Sequence, residues 1–313
     1  MLDASRFNIF RASRTLAALF GANLFGANLF GAIALATLVG CDTTPTAGDP
    51  IETTSAPQKA SATETRDVVP EVGYSDTPLI PGTTYRVHDG TRPQPLLVSI
   101  GDQATLPPPG AAPSDARILF DGNDLLQWQG KNGAAGWKLV GDGMEVNGTG
   151  DIATRESFGD VQMHVEFRTP TKPSGSSQGR GNSGVFFLER YEIQVLDSWK
   201  NPTYPDGQAA AIYGQRPPLV NASLPPGQWQ AYDIVFLGPR FAKDGSVTRP
   251  ARATVFHNGI LVQHDVPFQG PTRHRTLTEY EPHPERAPIR LQDHGDPVQF
   301  RNIWVRELTE ETD

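Results

Sequence analysis

The chain has 313 residues, a net charge of −8, one cysteine and many turn formers, among them 31 glycines and 28 prolines. That length admits one large domain or two small ones. The acidic balance argues against a nucleic-acid partner, because basic residues gather only at the N-terminus and near Thr272–Arg275 and phosphate binding needs a concentrated positive surface. A single cysteine excludes an internal disulfide.

In chain order, the first element is a targeting segment. Arg6, Arg11 and Arg14 precede an apolar run with the tandem repeat LFGANLFGANLFGA, which ends in Leu38-Val39-Gly40-Cys41. A positive start, an apolar middle and a small residue before the cut describe a signal peptide. Cys41 after Leu-Val-Gly resembles a bacterial lipobox, so the expectation is an exported lipoprotein, lipidated at Cys41 and facing the periplasm or cell surface. An uncleaved anchor is the competing reading, since Leu16 to Val39 is long enough to span a bilayer. Asn23 and Asn28 weigh against it. Residues 42–77 are rich in Thr, Ser, Ala, Pro and acidic side chains and read as a flexible tether. Residues 78–113 carry Tyr85, Val87, Leu96, Leu97, Val98 and Ile100 before a proline-rich break. Too short for a core and too apolar to stay free, they are expected to pack as an arm on the domain that follows. His88 in the arm reads as structural.

Residues 114–308 show short β runs between turns. VQMHVEFRT (161–169) alternates Val161, Met163, Val165 and Phe167 with polar residues, a period of two. ARATVFHNGILVQHDV (251–266) reads as a hairpin with Asn258-Gly259 at its tip. WQAYDIVFL (229–237) and VQFRNIWVREL (298–308) add two strands, and no stretch sustains helical periodicity. The expected fold is all-β, an antiparallel two-sheet sandwich or jelly roll.

Within YEIQVLDSW (191–199), Glu192 and Gln194 share one strand face and Tyr191, Ile193 and Val195 the other. Asp197 falls on the second face unless a bulge returns it to the side of Glu192. The spacing resembles the acidic strand of laminarinase-type glycosidases, where paired carboxylates act as nucleophile and acid. A polar outer face of an edge strand is the plain alternative. The preceding Gly179-Arg180-Gly181-Asn182-Ser183-Gly184 brings a guanidinium and an amide to the strand start, groups suited to sugar hydroxyls. LQDHGDPVQFRNIWV (291–305) adds Gln292, Asp293 and His294 at a strand end. A histidine beside acidic groups is a candidate base or metal ligand. Of the five tryptophans, Trp199 is the one placed for a sugar-binding groove.

LFDGNDLLQWQ (119–129), GDIATRESFGDVQMHVEFRTP (150–170), GRGNSGVFFLERYEIQVLDSW (179–199), YGQRPPLVNASLPPGQWQAYDIVF (213–236) and PIRLQDHGDPVQFRNIWV (288–305) together resemble the 3-keto-disaccharide hydrolase domain family. The resemblance implies a concanavalin-like sandwich and an enzyme that cleaves glycosides already oxidised at C3. A C3 ketone makes the C2 hydrogen acidic and leaves the C1 oxygen as a β leaving group. Proton abstraction and elimination, then hydration, need one base, a polariser and sugar-binding amides. Glu192 and His294 are the expected catalytic residues, or else ligands of a divalent cation. Arg180, Asn182, Gln194, Asp197, Gln292 and Trp199 are expected to bind a small carbohydrate. Three other functions stay open: a glycan-binding module, a membrane-tethered scaffold and a laminarinase-type retaining glycosidase.

Overall fold

The structure, a computed structural model, describes residues 72–99 and 112–309. The targeting segment, Cys41 and the tether as far as residue 71 lie outside the described residues. The described residues form an all-β, antiparallel two-sheet sandwich with two 3₁₀ turns and no α-helix. One sheet runs in the order Ile260–Pro267, Arg252–His257, Gln230–Leu237, Val161–Arg168, Gln299–Glu307, Gly143–Glu145, Lys138–Val140, with Arg117–Phe120 also paired to Gln299–Glu307. The other runs Gly133–Ala134, Trp128–Gly130, Ile152–Thr154, Arg290–Leu291, Ser183–Phe187, Tyr191–Val195.

Alternation builds the core. Val161, Met163, Val165 and Phe167 point inward from one sheet and meet Val185, Phe187, Tyr191 and Ile193 from the other, all 0–1% exposed. Phe187 stacks on Phe236 at 4.5 Å across the layers. The expected hairpin closes through Asn258 and Gly259, both at positive φ (53° and 78°), with His257 opposite Ile260.

The arm lies along the sandwich. Leu97 makes a parallel bridge to Asn221, Gln94 donates to Thr203 O at 2.8 Å, and the His88 main-chain N–H donates to Asp206 Oδ2 at 2.8 Å. Folded chain begins before residue 78, where the tether was expected to end. Thr77 is buried and donates its hydroxyl to Val87 O at 2.6 Å, and Tyr74 N donates to His88 O at 2.9 Å. The Thr77 side chain and the Tyr74 main chain are thus fixed by hydrogen bonds that only the folded loop supplies.

Candidate functional site

The Tyr191–Val195 strand turns Tyr191, Ile193 and Val195 into the core and Glu192 and Gln194 to the opposite face, under a cavity of about 670 Å³. Both polar side chains are nonetheless buried, because loops cover that face. The carboxyl of Glu192 has room because its neighbour strand carries Gly184. A Cβ there would stand 2.4 Å from Glu192 Oε1 and 2.8 Å from the Phe186 ring. Burial pushes the Glu192 carboxyl up to about 8, with Arg290 pulling it down and Asp151 pushing it up further. Arg290 is ion-paired with Asp151 and lies over the Phe186 ring at 3.7 Å.

The Gln194 amide is coupled to that carboxyl. With its nitrogen turned outward it donates to Gln178 Oε1 and Asn182 Oδ1, each at 3.2 Å. Those oxygens are pinned, since the Gln178 and Asn182 nitrogens are committed to Thr203 Oγ1, Gly207 O and Gln178 O. The Gln194 oxygen then faces Glu192 Oε1 at 2.8 Å, a contact that needs a proton on Glu192. Turned over, the nitrogen donates to Glu192 Oε1 at 2.8 Å and to Ser183 O at 3.2 Å, which suits the ionised carboxylate but sets oxygen against oxygen at Gln178 and Asn182. The raised carboxyl favours the first arrangement at neutral pH.

Of the residues expected from sequence, Glu192, Gln194, Asn182, Gln292 and His294 line the cavity. Gln292 is anchored by its main chain, N donating to Gly184 O at 3.1 Å and O accepting from Ser183 Oγ at 2.7 Å. His294 is exposed at the rim. Arg180, Asp197 and Trp199 are not part of the lining. The strand ends at Val195, and no bulge returns Asp197 to Glu192. Instead Arg180 clamps it, Nε to Oδ2 at 2.9 Å and Nη2 to Oδ1 at 3.0 Å, and Nη2 also donates to Trp199 O at 2.5 Å. The pair closes a buried loop outside the cavity lining. Glu192 is therefore the single carboxylate among the described lining residues.

Sequence reading missed the opposite wall. Tyr204, Tyr213, His274 and Tyr74 form a chain of polar contacts: Tyr204 Oη to Tyr213 Oη at 3.1 Å, Tyr213 Oη to His274 Nδ1 at 3.1 Å, and Tyr74 Oη to His274 Nε2 at 3.5 Å. Burial, together with His88, Arg275 and His294 nearby, pulls the His274 imidazole down, so it is neutral at pH 7. The signal available was the Arg/His cluster at Thr272–Arg275, which has no strand pattern to explain it.

As a metal centre the site does not fit. Glu192 and His294 would be two ligands, and among the described residues no group of three or more His, Cys, Asp and Glu side chains is arranged to hold an ion.

The family described as 3-keto-alpha-glucoside-1,2-lyase-like domain matches residues 115–306. A crystal structure of a candidate glycosyl hydrolase from Parabacteroides distasonis is 46% identical, covering 63% of this chain and 85% of that one, with a TM-score of 0.61. A second candidate glycosyl hydrolase from the same organism is 20% identical over 62% of this chain and 94% of its own, with a TM-score of 0.47. Among curated proteins no match was found. A match over most of the chain and a single buried carboxyl in a polar cavity converge: the chain belongs to the 3-keto-alpha-glucoside-1,2-lyase-like domain family, and its function is carbohydrate-active.

Proposed function

We propose that the domain cleaves glycosides carrying a ketone at C3, through Glu192. The observation that supports this reading is the single carboxylate of the cavity, ringed by amides, phenols and imidazoles. Displacement glycosidases need two carboxyl groups flanking the bond, and Asp197, the nearest in sequence, is held by Arg180. Elimination needs one. Ionised Glu192 removes the C2 proton, and the electron pair moves toward the C3 oxygen, where cavity donors stabilise it. The C1–O bond breaks and the departing oxygen takes the proton that Glu192 removed from C2, which returns Glu192 to its ionised form. Water then adds across the C1–C2 double bond, oxygen to C1 and hydrogen to C2, so the net change is hydrolysis. Asn182, Gln194 and Gln292 hold the sugar hydroxyls.

The test is direct. The protein is incubated with a 3-keto-glucoside and with its unoxidised parent, and the released sugar is measured. Cleavage of the keto-glycoside with the parent untouched is the expected result. Comparable turnover of both would return the paired-carboxylate mechanism, and binding without turnover of either would favour a glycan-binding module.

A further inference from the structure

The basic cluster near Thr272–Arg275 borders a second recess as well as the cavity. This groove, of about 530 Å³, lies on the outer side of the cavity wall, and the two share Phe186, Thr272 and Arg273. Two hairpins bound it. One is the turn at residues 188–190, which joins Ser183–Phe187 to Tyr191–Val195. The other is the short ladder in which Thr272 faces Leu277 and Arg273 faces Thr276. Thr272 latches the two together. Its N and its Oγ1 both donate to Arg190 O at 3.0 Å, and its Oγ1 accepts from Glu192 N at 3.1 Å.

Arg190, Arg273 and Arg290 line this groove. Arg290 lies over the Phe186 ring at 3.7 Å and is ion-paired with Asp151. Arg190 and Arg273 are exposed and have no ion-pair partner among the described residues. Glu189, the one carboxylate among the described lining residues, pairs with none of the three. Elsewhere on this acidic chain exposed arginines do find partners: Arg252 pairs with Asp265, Arg275 with Asp76, Arg286 with Glu307 and Arg306 with Asp115. Unpaired guanidiniums in one groove repel each other, and an anion between them removes that repulsion while it takes up their N–H donors.

The geometry narrows the anion. A guanidinium is a planar fork that matches the two oxygens of a carboxylate. The groove is larger than a free inorganic anion needs and falls within the range for a ligand of one or more sugar rings. With a net charge of −8, most of the surface repels a polyanion and leaves this groove as the place where one can settle. Two unpaired cations beside Glu189 suit a chain with one carboxylate per ring better than a densely sulfated or phosphorylated one.

We propose that the groove between the two hairpins binds an acidic polysaccharide, one that carries uronate carboxylates, through Arg190 and Arg273. This is a binding function outside the cavity, and it stands or falls independently of the reaction at Glu192.

The experiment is calorimetric titration of the full chain with an oligogalacturonate and with the same oligomer methyl-esterified, which keeps the rings and removes the charge. The acid form is expected to bind at least about tenfold more tightly than the ester, the equivalent of about 1.4 kcal/mol. Arg190→Ala and Arg273→Ala should each weaken binding of the acid form about tenfold at unchanged Tm, since neither exposed side chain has an ion pair to lose. Arg155→Ala removes an exposed arginine that does not line the groove and should bind as wild type does. No binding of the acid form by wild type, equal affinity for acid and ester, or wild-type affinity in both groove variants overturns the proposal. A single-stranded oligonucleotide or a dextran sulfate of matched length that binds as tightly as the oligogalacturonate overturns it too, because the groove would then read charge alone. The comparison of acid with ester is made on wild type, so it decides the matter even if an alanine variant fails to fold.

Discussion

Glu192 sits at the junction of stability and chemistry. As a base it acts only when ionised, so kcat/KM should rise with pH and level off above about 8. A profile that falls through the same range would make Glu192 the proton donor instead. Glu192→Gln should lower kcat by about 10²–10⁴-fold, with the fold kept, because an amide can replace the protonated acid against the Gln194 oxygen. The same burial has a thermodynamic consequence. The folded value of about 8 lies above the ordinary 4.5, so the contribution to stability is complete below about 4.5 and is lost as pH rises toward about 8. Glu192→Gln removes that loss. Its Tm should gain on wild type by about 2–4 °C or more between pH 5 and pH 9. Parallel melting curves of the two proteins would mean that the carboxyl is not buried as described.

At the scale of elements, the site depends on one strand edge being thin. Gly184 faces Gln194 across the ladder, and its missing side chain is the space that the Glu192 carboxyl occupies. Gly184→Ala should push that carboxyl aside and cost activity about 10–100-fold. The stability cost should stay within about 1–3 kcal/mol, the range for overpacking. Assays of kcat alongside urea titration check both, and near-wild-type turnover would show that the carboxyl's position is not critical. The strand's own pattern was readable, since Glu192 and Gln194 alternate with core residues. Its end was not. Asp197 follows Val195 in sequence as though the strand continued, but Gly181 at φ 60° brings the preceding loop close enough for Asp197 N to donate to Arg180 O and Gly181 O, each at 3.2 Å. That turn hands Asp197 to Arg180.

Across the whole molecule, charge is also buried in the sheet that does not carry the cavity. His164 donates Nδ1–H to Asp233 Oδ1 at 2.7 Å, stacks on Trp304 at 5.5 Å, and lies 3.6 Å from Glu166, which Arg301 and Asn302 hold in turn. Burial opposes its protonation, but Asp233 and Glu166 outweigh it and raise the imidazole to about 9. This contribution is complete below the ordinary 6.5 and is lost as pH rises through about 9. His164→Gln should therefore cost about 1 kcal/mol at pH 6, the worth of a partly screened charged pair. Little cost should remain at pH 10, and kcat should match wild type throughout, because the residue faces away from the site. An equal loss of stability at both pH values would show that packing on Trp304, not charge, is what His164 supplies.

The sequence by itself determined the sandwich, because a period of two and a turn such as Asn258-Gly259 act between residues that are neighbours along the chain. It also placed Glu192 and Gln194 on one face, and brought Asn182, Gln292 and His294 into consideration through local motifs. Tertiary structure alone decided which polar groups meet. Tyr74 and His274 lie 200 positions apart, His88 and Asp206 118 apart, and no local pattern encodes such pairs. It likewise decided that Arg180 and Asp197 pair as ions while Glu192 meets the Gln194 amide under the cavity. A buried charge must find a partner or take up a proton. Which of the two occurs depends on the chain that folds over it, and that chain arrives from the far ends of the sequence.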